Sequence, residues 1–106
     1  MNHDIPRKIT VIIPVLNAAG ILDNCLRSLA GQDFSAAAME ILVVDGGSAD
    51  ATREIAKRYH ATILDNPQRV AESGKRLAME HAHGDYIFFL DADNEVSHPD
   101  FLSLAV

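Results

Sequence analysis

"EILVVDGGSADAT", residues Glu40 to Thr52, decides how the rest of the chain is read. Its first half is apolar and β-branched, ends on a carboxylate and breaks at Gly46 and Gly47. It therefore reads as a buried strand, Glu40 to Asp45, whose tip is handed to a loop. Asp50 is placed to cap a helix running through Ile55, Ala56 and Tyr59. Upstream, Lys8 to Ile13 forms another strand and stops at Pro14. A helix follows over 20–32, with Ile21, Leu22, Cys25, Leu26 and Leu29 at helical spacing and Gly31 as its stop. Downstream, Ala61 to Leu64 is a short third strand. A third helix spans about Val70 to His83, where Ala71, Gly74, Ala78 and Ala82 make a stripe small enough to lie close on a sheet. Asp85 to Asp91 is the fourth strand, and Ser97 caps a last helix with Pro99 in its first turn and Asp100 as an approximate capping-box partner.

The order βαβαβαβα with short connections implies an α/β domain with a Rossmann-like parallel sheet, helices on both faces and right-handed crossovers. A strand order of 3-2-1-4 would bring the tips of the first and fourth strands together. The chain has 106 residues, the size of one domain, and its last residues, Phe101, Leu102, Leu104, Ala105 and Val106, continue an apolar helical pattern. The expectation is a single domain, 1–106, cut from a longer protein.

Nine Lys and Arg against fifteen Asp and Glu give a formal charge of −6, with no long basic run. This composition argues against a nucleic-acid partner. The same acidity repels phosphate on average, so a phosphate-bearing ligand would need a local cation, a metal or aimed backbone N–H groups. The one cysteine, Cys25, lies among helical leucines and reads as a small core residue in a reducing compartment. "MNHDIPRK" has no apolar signal segment, and no apolar run approaches the roughly 20 residues of a membrane span. A cytoplasmic location is expected, with attachment of the intact protein to the inner face of a membrane left open.

In a doubly wound sheet a ligand lies beyond the carboxyl ends of the strands, near the point where strand order reverses. Three stretches fall at such ends: "PVLN" (14–17), "DGGSAD" (45–50) and "DADN" (91–94). Asp91 and Asp93, two apart on a chain leaving a strand, can present paired oxygens to a hard divalent ion such as Mg²⁺ or Mn²⁺, which would bridge them to a diphosphate. The competing reading is a solvated acidic turn. Asp45 is either a loop acid or, with Gly46 and Gly47 leaving room for a flat ligand beside it, an acceptor for an N–H on a base edge. Asn17 could orient a ligand or bond backbone in its own turn. Arg69, Lys75 and Arg76 flank the third helix as candidate cations for a diphosphate. His81 and His83 form an H-x-H, but histidines in the last turn of a helix favour the macrodipole without any metal. "SGKR" lacks the glycine spacing and the Ser or Thr of a P-loop, and neither a G-x-G-x-x-G after the first strand nor a G-x-S-x-G elbow occurs.

The blocks "ITVIIPVLN", "CLRSLAGQ", "EILVVDGGSADAT" and "GDYIFFLDADN", in this order, resemble the donor-binding half of the family 2 glycosyltransferases, inverting enzymes of the GT-A fold. The resemblance covers about residues 8 to 106. It implies a nucleotide-sugar donor of UDP, GDP or dTDP type, a divalent metal, and direct displacement at the anomeric carbon by an acceptor hydroxyl. It assigns Pro14, Val15 and Asn17 to the border of the nucleotide, Asp45 to the base, Arg69 to the diphosphate side, Gly74 and Ala92 to the same donor-binding set, Asp91 to the ribose or metal region, and Asp93 to the metal. Where the family often has a second acid this chain has Gly46, and where it often has an aromatic this chain has Leu16. The family's general base, a carboxylate, lies in a second half with the acceptor site, so the segment alone is expected to bind donor and transfer nothing.

Other readings stay beside this one. A haloacid-dehalogenase-like phosphatase also carries D-x-D after an apolar strand, but on its first strand. A receiver-like domain wants an acidic pair where this chain has "PVLN". A non-catalytic nucleotide-binding or interaction module would use the donor half alone. An unfinished sheet would also expose an edge, so self-association is expected.

Overall fold

The computed structural model describes residues 8–32, 38–66 and 71–93. Within them lie β1 (Ile9–Val15), α1 (Ala19–Ala30), β2 (Met39–Asp45), α2 (Thr52–Arg58), β3 (Thr62–Asp65), α3 (Ala71–His81) and β4 (Tyr86–Phe89). The four strands form one sheet, parallel as the alternation of elements implied, in the expected order β3-β2-β1-β4 that sets the first and fourth strands side by side. The last helix expected after Ser97 lies outside the described residues.

The two-residue period of the central strands sorts side chains between two cores. Ile9, Val11, Ile13 and Val15 of β1 and Val43 of β2 pack with Leu22, Cys25, Leu26 and Leu29 of α1 and with Ile55 and Ala56 of α2. Ile12, Leu42 and Val44 point the other way, against Leu64 and Ala78. Helices thus cover both faces, which is why β1 and β2 read as continuous apolar runs and not as alternating ones. α3 can lie close because it presents small residues there: Ala78 is fully buried, and a Cβ added to Gly74 would stand 3.5 Å from Val44 and 2.9 Å from the Asn66 side chain.

The proline expected to end β1 does not end it. Pro14 pairs with Val44 and Val15 with Asp45. The Ile12 carbonyl accepts from Leu90 N–H, on the β4 side, whereas the Val15 carbonyl accepts from Gly46 N–H, on the β2 side. Pro14 shares the parity of Ile12, so its missing N–H faces β4, whose pairing with β1 stops at Ile12 opposite Phe89. No bond of the β1–β2 ladder is lost, which is the condition under which a strand tolerates proline.

At the opposite end of the sheet Gly84 runs against β1, where a Cβ would meet the Thr10 nitrogen at 2.6 Å. Thr10 donates to Glu40 (2.9 Å), and Glu40 also accepts from the His83 N–H (2.8 Å) and pairs with His83 Nδ1 (2.9 Å). His81 Nδ1 lies 2.9 Å from the Leu77 carbonyl. The H-x-H histidines therefore secure the α3–β4 junction and do not converge on a common point.

Candidate functional site

The carboxyl ends of β1, β2 and β4 open onto a crevice of about 580 Å³. Pro14, Val15 and Leu16 form its β1 rim, Gly46 and Asn66 the β2 and β3 side, Gly74 and Lys75 the α3 wall, and Phe89 to Asp91 the β4 side. Of the residues singled out from the sequence, the structure brings Pro14, Val15, Gly74 and Asp91 together here. Lys75 joins them, with its ammonium 5.8 Å from the centroid of the Phe89 ring, which is 51% exposed. It is the cation that the crevice holds among the described residues; Arg69 lies outside them.

Asp45 is placed differently from the expectation. It has the parity of Val43 and turns toward the α1/α2 face, so Gly46, not Asp45, lines the crevice. The space beside it is filled by side chains of this chain. Asp45 is 1% exposed, and it accepts from the Ser48 hydroxyl at 2.5 Å, from the Ser48 N–H at 3.1 Å and from Arg53 at 2.9 Å. Burial raises its carboxyl, but the Ser48 hydroxyl and the Arg53 guanidinium outweigh that and hold it below the usual carboxylate range. The glycines serve the turn itself: Gly47 has φ 106°, in the left-handed region that glycine enters without steric cost. The carboxylates of Asp45 and Asp91 consequently do not share one cleft. A one-residue difference in parity separates them.

Arg53 was not legible as a site residue. Its NH1 donates both to Asp45 and to Asp65 at the tip of β3, the latter at 2.5 Å. The cue in the sequence was an arginine eight residues after a strand-terminal acid, which helix α2 carries back over the strand ends. Asn17 (φ 49°) also proves to be a stitch between loops: its N–H donates to Ser48 Oγ at 2.8 Å, and its own Oδ1 accepts from Ala49 N–H at 2.8 Å. Asp50 caps two helices at once, accepting from Thr52 N–H (3.0 Å) at α2 and from Ala19 N–H (3.2 Å) at α1. Thr52 adds a bond from Ala18 N–H to its hydroxyl at 2.9 Å. The first orphan donors of α1 are thus satisfied from a different loop.

At the β4 tip, Asp91 and Asp93 are both exposed while Ala92 between them is buried in the α1-side core. Asp91 lines the crevice, and its carbonyl accepts from Cys25 Sγ at 4.0 Å; that thiol is pushed up to about 11 by burial and by the charge of Asp93. No third His, Cys, Asp or Glu gathers with them among the described residues. Two carboxylates and open solvent do not make a closed protein cage. Their oxygens would suit a hard divalent ion that keeps several of its waters.

The family model for glycosyl transferase family 2 matches residues 10–105. YibD of Escherichia coli (strain K12), an uncharacterized glycosyltransferase, is 37% identical over 94 residues, which are 84% of this chain and 27% of YibD. Among solved structures, Staphylococcus aureus TarS 1-349 superposes with a TM-score of 0.85 at 28% identity, over 92% of this chain and 31% of that one. The mannosyltransferase PcManGT from Pyrobaculum calidifontis, in complex with GDP-Man and Mn²⁺, superposes with a TM-score of 0.84 at 27% identity, over 92% of this chain and 30% of that one. TarS has also been solved in complex with UDP-GlcNAc. The chain therefore spans less than a third of the length of each of these proteins.

Proposed function

Since this chain belongs to glycosyl transferase family 2 and has the GT-A fold, we propose that it is the donor-binding part of an inverting glycosyltransferase whose crevice takes a nucleoside-diphosphate sugar. The observation that carries this reading is the convergence of Lys75 and Asp91 with the glycine-lined tips of β2 and α3 in one crevice on an acidic chain. Gly46 and Gly74 line the crevice without side chains that would fill the space for a flat base and ribose. Lys75 supplies the local cation that a diphosphate needs against a net charge of −6. Asp91 and Asp93 would hold a divalent ion such as Mg²⁺ or Mn²⁺, which, when bound, offsets charge on the leaving diphosphate.

In the reaction we infer, an acceptor hydroxyl oxygen bonds to the anomeric carbon from the face opposite the nucleotide. The bond from that carbon to the diphosphate oxygen breaks, and the hydroxyl proton passes to a carboxylate base. We place that base and the acceptor surface beyond this segment, in keeping with the fraction of its relatives that the chain spans, so the segment binds donor without turnover. A module that binds nucleotide and never takes part in transfer is the second reading. We further infer that the segment self-associates through β4, the outer strand of the sheet among the described residues, with Tyr86 and Phe89 exposed; sedimentation as monomer throughout the micromolar range would refute this.

Calorimetry with UDP, GDP and dTDP sugars in the presence and absence of Mn²⁺ tests the donor site. Metal-dependent binding that is lost in Lys75→Ala and Asp91→Ala is expected. Failure of every nucleotide to bind the wild-type chain with metal present would sink the reading.

A further inference from the structure

Asp45 is buried and its carboxylate does not line the crevice, yet the loop that follows it does. One side-chain nitrogen ties the strand ends from which that loop leaves. Arg53 NH1 reaches Asp45 at the tip of β2 and Asp65 at the tip of β3, so one guanidinium ties two neighbouring strand ends. From Asp45 the chain of bonds continues to Ser48, and from the Ser48 hydroxyl to the Asn17 N–H in the β1 loop. The Asp45 carbonyl also accepts from Asn66 N–H at 2.8 Å, which sets the other residue on that side of the crevice. Gly46, Leu16 and Asn66, which line the crevice, therefore each adjoin a residue whose position depends on this mesh.

We propose that Arg53 is a positioning residue for the base-proximal end of the donor site: through Asp45 and Ser48 it sets the loop 46–48 and the rim at Leu16. This inference rests on the nucleotide-sugar reading given above. Lys75 and Asp91, at the other end of the crevice, belong to a different part of the fold and to no bond of this mesh. The two ends should therefore separate experimentally. Binding of a whole nucleotide needs both, whereas inorganic pyrophosphate needs only the Lys75 and Asp91 end. Because both contacts of Arg53 come from one nitrogen, a lysine ammonium, with three donors, can reproduce them where alanine cannot.

The test is calorimetric titration of the wild-type chain, Arg53→Ala and Arg53→Lys with UDP and, separately, with inorganic pyrophosphate, all with Mn²⁺ and well below each variant's melting temperature. The expected result is a loss of about tenfold in UDP affinity for Arg53→Ala, pyrophosphate affinity unchanged, and recovery of most of the loss in Arg53→Lys. Unchanged UDP affinity in Arg53→Ala overturns the inference. So does an equal loss for UDP and pyrophosphate, which would mark a general structural role. If Arg53→Ala does not fold, Arg53→Gln, which keeps a donor without the charge, is judged by the same two criteria. A wild-type chain that binds pyrophosphate but not UDP, or neither, instead overturns the donor-site reading on which the inference stands.

Discussion

The two faces of the sheet put their carboxylates to opposite uses. On the α1/α2 side Asp45 and Asp50 are saturated by hydroxyls, backbone N–H groups and Arg53, over a core that runs the length of β1. On the α3 side the core is smaller, and near the strand tips Asp91, Lys75 and Phe89 are exposed around open space. The difference teaches how an acidic domain can divide its acids: one set is satisfied internally to build a loop frame, and another is left exposed, on our reading for an ion and its polyanionic ligand. Carboxylates of the first kind should matter for stability and those of the second for binding.

The largest effect should come from the core behind the saturated side. Leu26→Ala, at a fully buried position, is expected to cost about 2–5 kcal/mol in chemical denaturation, because deletion of the side chain adds a cavity to the lost transfer energy. Next comes Asp45→Asn, expected to cost about 1–3 kcal/mol by weakening the bonds from Ser48 and Arg53 at a site closed to water. Its pH dependence has a definite sign. The folded carboxyl titrates below its ordinary 3.8, so its stabilisation is fully present above that pH and is lost as pH falls through the lower folded value. Acid unfolding of Asp45→Asn should accordingly show a shallower decline over that window than wild type; an unchanged acid limb would mean that Asp45 is not held as described.

His83→Ala should cost no more than about 1 kcal/mol, because its partner Glu40 is tied elsewhere and the imidazole is largely exposed. The smallest stability change, within about 0.5 kcal/mol, is expected for Asp91→Asn and Asp93→Asn. If the comparison between the faces is right, those two nonetheless abolish the metal dependence of nucleotide binding. A thermal shift of several degrees in either would place them with the structural acids and break the contrast.

The sheet was readable in advance because alternating apolar strands and amphipathic helices with short links leave few topologies. The alternation fixes that the strands are parallel; the order 3-2-1-4 came with the resemblance to the GT-A fold and is the one observed. Boundaries moved where local chemistry was conditional. Pro14 looked like a stop because its side of the strand, toward β4 or toward β2, is decided by pairing and not by composition. Asp45 was correctly placed at a strand tip, but which face it turns to depends on a period of two counted from a core that only the fold defines. Arg53 went unnoticed for a related reason: the loop 46–51 turns the first residues of α2 back onto the β2 tip, and Asp65 joins the pair only after the crossover. Lys75 was visible as a candidate among three cations, and α3 sets it, and not Arg76, on the crevice. The D-x-D pair was legible as two acids at the β4 tip, both of them exposed, whereas the burial of Ala92 between them was not.

Pro14 carries a consequence for how the crevice arises at all. Continuing the β1–β4 ladder by one step would require a proton on the Pro14 nitrogen to meet the Leu90 carbonyl, and there is none. The seam between the two strands must unzip at that point, so the outgoing chain forks away from β1 while β1 stays zipped to β2. A ring closed onto a backbone nitrogen thus opens the wedge into which, on our reading, the sugar nucleotide fits.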